Sequence, residues 1–118
     1  MNKIIIATCI VLAGCSTSNQ SSVRATKADE DAATKAYLNC ATNQIRILDD
    51  GTSDARTIAI GATTACTAEY QHMSAVGAAR RPTQLESTYY MRMAMNDPHR
   101  PDELIPLVLA IRKQKAER

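Results

Sequence analysis

The sequence predicts an all-α protein: a small helical domain made of a disulfide-linked antiparallel helical hairpin plus two further C-terminal helices. Three observations carry this reading. Aromatic residues make up 3% of the chain, four Tyr with no Phe and no Trp. The core is therefore left to Ala, Leu, Ile, Val and Met, which suits close-packed helices better than a sandwich or barrel. Gly and Pro number four each, too few for an all-β chain with many turns. Apolar residues recur at spacings of three and four through the central segments, the period of an amphipathic helix. The 118 residues suffice for one domain, and the 45% hydrophobic fraction excludes wholesale disorder. The 14 basic and 12 acidic side chains leave a net charge of +2. That excludes the strong basic field of a typical nucleic-acid binder.

The N-terminus reads as an address. Lys3 is a short positive region, Ile4 to Val11 is a compact apolar run, and Leu12-Ala13-Gly14-Cys15 comes next. The order is that of a secretory signal. The apolar run is about half the roughly 20 residues a helix needs to span a bilayer. Leu12-Ala13-Gly14-Cys15 resembles the lipobox of bacterial lipoproteins. The resemblance implies a diacylglycerol thioether on Cys15, cleavage between Gly14 and Cys15, and acylation (palmitate) of the new N-terminus. Small Ala13 and Gly14 give a peptidase access to the backbone, and the Cys15 thiol is the nucleophile. Ser16, in place of the Asp that favours inner-membrane retention in enteric-type lipoproteins, resembles an outer-membrane-directed lipoprotein facing the periplasm. The chain then divides into a signal peptide over 1–14, a lipid anchor and flexible tether over 15–28, and a helical domain over 29–118. The tether is Ser/Thr-rich with almost nothing to bury.

From Asp29 to Leu48 the pattern is helical. Asp29, Glu30 and Asp31 suit the positive end of the helix dipole. Leu38, Ala41, Ile45 and Leu48 form an apolar stripe that Tyr37, Cys40 and Ile47 widen. Asp49 to Asp54 breaks the helix, with Gly51 able to take a left-handed conformation and Ser53 or Asp54 able to cap the next helix. The same acidic cluster lacks the spacing and distal Glu of a calcium loop. A second helix is predicted from about Ala55 to Gly77, with Ala59, Ala62, Cys66, Tyr70 and Met73 on its stripe and several small residues for close approach.

Cys40 and Cys66 have their midpoint at residue 53, inside the predicted turn. In an antiparallel hairpin they lie level, and both sit on apolar stripes. In an oxidising compartment this predicts a disulfide. There is no Cys-x-x-Cys and no His at a metal-site spacing from either cysteine.

Arg80-Arg81-Pro82 ends the second helix, and Thr83-Gln84-Leu85-Glu86 reads as a capping box. A third helix then runs to about Met95, with Leu85, Tyr89 and Met93 spaced by four. Asn96 to Pro101 is a turn-rich break. The last helix starts near Asp102 or Glu103, carries Pro106 in its first turn, and reaches about Lys115. The tail from Arg112 to Arg118 reads as a solvated helix end, with contact to anionic phospholipid or lipopolysaccharide as the alternative. Residues 15–77 hold five basic and seven acidic side chains, residues 78–118 eight and five, a mild dipole.

No catalytic constellation is present. His72 and His99 stand in no recognisable motif, and the chain lacks a Gly-rich phosphate loop and a Gly-x-Ser-x-Gly. The sequence therefore predicts no enzyme and no cofactor. Met91, Met93 and Met95, with His99 nearby, resemble the Met-x-Met clusters of periplasmic copper-handling proteins, whose thioethers suit Cu(I). On a helix, however, Met93 points almost opposite to Met91 and Met95, and Met is a common core filler. Packing is the favoured reading. The expected function is a protein-binding or envelope-assembly accessory module, held at the membrane through the lipid on Cys15. Secretin pilotins resemble this chain in size, anchoring and helical character only; the analogy implies a groove that accepts an amphipathic partner helix. The alternatives are a small-ligand or copper-binding lipoprotein and a phage- or plasmid-derived envelope-exclusion lipoprotein.

Overall fold

A computed structural model describes residues 24–97 and 100–118. The expected signal peptide, the lipobox-like segment ending at Cys15, the expected tether as far as residue 23, and His99 lie outside the described residues. The described chain is all-helical, as expected. It contains α1 (Lys27–Leu48), α2 (Ala55–Ala65), α3 (Thr67–Ala79), α4 (Gln84–Met95), a 3-10 turn (Asp102–Leu104) and α5 (Ile105–Ala116).

Helix α1 begins two residues before Asp29, because Thr26 is the better cap. Its hydroxyl accepts from the Asp29 amide at 3.2 Å, and the Asp29 carboxylate accepts from the Thr26 amide at 2.8 Å. This reciprocal pair satisfies donors that a helix start leaves open, and the Thr26 bonds hold the Asp29 carboxyl below the usual carboxylate range. Residues 24–28, assigned to the tether from composition, are thus partly built into the domain. The buried stripe also differs from the expected one. It is Ala33, Tyr37, Ala41 and Ile45, while Leu38, Ile47 and Leu48 are exposed. Strict spacing by four lets the small Ala33 and Ala41 admit α2 and α3 closely on one side of α1.

The predicted turn is built from carboxylates accepting local amides. Asp50 accepts from the amides of Thr52 and Ser53, both at 2.8 Å. Gly51 has φ +79°, among the described residues the one left-handed backbone position. Asp54 caps α2 by accepting from Arg56 and Thr57. These bonds consume the acidic groups as turn and cap acceptors.

The single helix expected over 55–77 is two. Cys66 interrupts it at φ −102°, ψ 27°. Three threonine hydroxyls beside the break turn back onto the helix: Thr63 donates to the Ala59 carbonyl, Thr64 to Ile60 and Thr67 to Thr64. Such back-bonding bends helices. The Cys40–Cys66 disulfide, with Cα atoms 5.9 Å apart, ties the bend to the middle of α1. The disulfide prediction is therefore shown, at a junction rather than within a straight helix.

The core fills the space between α1, α2, the start of α3 and the C-terminal arm. Tyr37 and Tyr70 meet edge-to-face at 5.4 Å, and Arg100 lies over the Tyr70 ring at 4.2 Å. Leu104, Val108 and Ile111 close it from the C-terminal side. Pro106 stands in the first turn of α5, as expected. The basic tail is not wholly solvated. Arg112 pairs with Asp49 at 2.8 Å and donates to the Ser53 carbonyl, fastening α5 to the hairpin turn. Among the described residues, no helix is long and apolar enough to cross a membrane.

Candidate functional site

Helix α4 is the least integrated element. Thr83 and Glu86 form the predicted capping box, so the helix starts abruptly after Pro82 and returns along α3, its principal neighbour. None of its residues is buried. Three contacts attach its inner side. Tyr90 lies against Gly77, where the absence of a side chain makes room for the ring. The Tyr70 hydroxyl donates to the Ala94 carbonyl at 3.0 Å. Arg81 sits 4.3 Å over the Tyr90 ring, a cation–π contact that fixes the turn against the helix.

With Tyr90 and Ala94 turned inward, Leu85, Tyr89 and Met93 face outward. They are 80%, 64% and 57% exposed. The spacing by four that reads as a core stripe is instead a solvent-facing one. Residues at i, i+4 and i+8 lie on one side of a helix, and they line a groove of about 620 Å³ with Pro82 and Tyr90. Contiguous apolar surface of this kind marks contact sites in soluble domains. One signal was available in the sequence. Tyr89 and Tyr90 are adjacent, so they point about 100° apart on a helix, and a single neighbouring helix cannot cover both.

The N-terminal end of the groove carries one charge of each sign, Arg81 and Glu86. Arg24 donates to the Arg80 carbonyl at 2.8 and 3.1 Å, and Arg80 pairs with Glu30. Arg24 and Arg81 line a second cleft of about 380 Å³ around the same turn. The structure thereby places the entering chain beside the groove.

The other candidate residues lie apart from one another. Met93 lines the groove, whereas Met91 and Met95 do not; Met91 is half-buried and Met95 is 37% exposed. His72 is exposed on α3, at the edge of a shallow Ala-lined depression. Cys40, Cys66 and Glu69 bring their ligand atoms within 4.8 Å of one another. The two sulfurs are bonded to each other, so they offer no thiolate to a metal. Asp49 clamps two elements together. Hydrogen bonding from Arg112, supported by the Gly51 amide and Lys115, lowers its carboxyl to about 2. The pair joins the hairpin turn to α5 and is structural. Burial pushes the Tyr37 and Tyr70 phenols up, the arrangement of core tyrosines.

Comparison of the chain with protein-family models, with curated proteins and with solved structures returns no match.

Proposed function

We propose that this protein is a lipid-anchored lipoprotein on the periplasmic face of the outer membrane, acting as a protein-binding or envelope-assembly accessory module. The ordered signal features and Cys15 support the anchor. The exposed stripe of Leu85, Tyr89 and Met93 carries the docking role. Three large apolar side chains held in one row cost free energy in water, about 25 cal/mol per Å² of apolar surface, and burying them against a partner recovers it. The layout is pilotin-like in general terms: a small helical domain, a short tether and an open groove sized for side chains of an amphipathic helix. Anchoring confines the module to the membrane surface and raises its effective concentration toward partners there.

Chemical crosslinking in cell envelopes followed by affinity capture tests the reading. The wild-type protein is expected to recover a discrete envelope protein, and Leu85→Glu is expected to lose it while the fold is kept. Recovery of no protein partner, or equal recovery by Leu85→Glu, contradicts it.

A further inference from the structure

We infer that the corner where α1 and α5 end is a second membrane contact, a pocket that takes the phosphate of an anionic phospholipid headgroup. It goes beyond the docking role of α4 and does not use that groove.

Three side chains make the pocket cationic. Arg46 comes from the last turn of α1, and Lys115 and Arg118 from the end of α5 and the tail after it. Gln114 and the buried Ile111 complete the lining of a cavity of about 340 Å³. No acidic side chain lines it. The acids of this corner are already engaged. Asp49 accepts from Arg112 and Lys115, Asp50 accepts local amides, and Glu117 stands 3.9 Å from Lys113. Arg46 and Arg118 form no ion pair among the described residues. Lys115 spends two N–H donors on the Asp49 carboxylate and carbonyl, at 3.2 and 3.4 Å, and keeps a third. A helix C-terminus attracts a cation by itself. That does not account for cations from two helices converging on one cavity.

Guanidinium and ammonium groups that converge in this way suit a phosphate, whose oxygens accept from several donors at once. Ile47 decides the source of that phosphate. It follows Arg46 directly and is 73% exposed. A free phosphate offers an exposed isoleucine nothing. A bilayer sets acyl chains just beneath its phosphates, so a cationic rim and an adjoining apolar side chain engage it together. Helix α1 has 22 residues, about 33 Å, and the chain before its other end leads back to Cys15. With lipid on Cys15, contact at both ends lays α1 along the bilayer. The domain then gains an orientation that a flexible tether leaves open.

The chain contains no Trp, so Ile47→Trp supplies a single fluorophore at the contact. The full-length protein is extracted from cell envelopes and reconstituted in phosphatidylcholine vesicles with and without phosphatidylglycerol, all carrying brominated acyl chains. Emission should shift to the blue and be quenched only where phosphatidylglycerol is present. Salt of about 1 M, where the Debye length is about 3 Å, should reverse it. Each cation at a membrane surface contributes about fivefold, so Arg46→Gln with Arg118→Gln should lower the docked-to-free ratio about 25-fold. Neither side chain is paired within the domain, so the melting temperature should not change. Leu38→Trp, nine residues away on the opposite side of α1, should remain in water. Equal quenching in both vesicle types, quenching indifferent to the double variant, or no quenching overturns the inference. Inorganic phosphate added to the detergent-solubilised protein is the second arm. Amide shifts at Arg46 and Lys115 without quenching in vesicles assign the pocket to free phosphate and overturn the lipid source. A chain that carries no lipid on Cys15 yet docks on phosphatidylglycerol defeats the anchored reading and leaves this inference standing.

Discussion

The phenol of Tyr90 occupies the space that a side chain on Gly77 would fill. A Cβ at Gly77 would stand 2.7 Å from the Tyr90 hydroxyl oxygen and 2.9 Å from the neighbouring ring carbons. This contact, together with the hydrogen bond from the Tyr70 hydroxyl to the Ala94 carbonyl, holds α4 on α3 and sets which side of α4 faces water. Gly77→Ala should displace the ring. The gain in helix propensity, about 1 kcal/mol, is outweighed by overpacking of about 1–3 kcal/mol. Urea denaturation should show a net loss of stability, and amide exchange should rise along α4. Gly61→Ala is the contrast. There the new Cβ meets only the tip of Leu48, at 2.9 Å. Leu48 is partly exposed and can turn away, so this variant should be neutral or more stable by up to about 1 kcal/mol.

The disulfide is the second lever. Cys40 and Cys66 close a loop of 26 residues. In the chain-entropy account such a loop contributes about 3.5 kcal/mol, a large share of the stability of a domain this small. The Cys40→Ser, Cys66→Ser double variant should lose roughly that amount in equilibrium denaturation. Reducing agent should have the same effect on the wild type and none on the variant.

Acid should loosen the joint between the hairpin turn and α5. The Arg112 guanidinium holds Asp49 at about 2, below its ordinary 3.8. A group whose carboxyl is depressed by folding contributes its stability above the unfolded value. That contribution is lost as pH falls from about 4 through 2. Wild-type stability should therefore decline across that interval, and Asp49→Asn should decline less steeply. Asp50, held low by the Ser53 and Thr52 amides, keeps part of the slope in both. A urea midpoint measured at pH 6, 4 and 3 checks this; identical slopes would remove Asp49 as the clamp.

Substitutions on the outer row of α4 should separate binding from folding. Leu85, Tyr89 and Met93 are largely exposed, so each change to Ala should alter stability by no more than about 0.5 kcal/mol. The same variants should weaken capture of the envelope partner. Large destabilisation by any of them would mean that the row is covered within the domain.

Much of the architecture is legible in the sequence because local chemistry dictates it. Thr83 with Glu86 forms a capping box in any context that permits a helix there. Cys40 and Cys66, equidistant from Ser53 in the turn, lie level in an antiparallel hairpin. What escapes is decided by packing between elements. The break at Cys66 depends on three threonines bonding backward together with a crosslink to α1. The stripe of α1 runs through Ala33 and Ala41 rather than Leu38, because two helices press on one side of it. The outward turn of Leu85, Tyr89 and Met93 depends on Gly77, on a different helix, leaving room for Tyr90. Periodicity identifies an apolar row; it does not say whether a neighbour exists to cover it.

A docking module at the membrane requires the anchor, and the anchor requires lipid on Cys15. Intact-mass spectrometry of the protein extracted from cell envelopes tests this directly. The predicted result is a chain beginning at Cys15, heavier than its polypeptide by a diacylglycerol thioether and an N-terminal acyl group, with Cys15→Ala unmodified and released from the membrane fraction. A chain with free Cys15, or one cleaved elsewhere and recovered without lipid, would contradict the account.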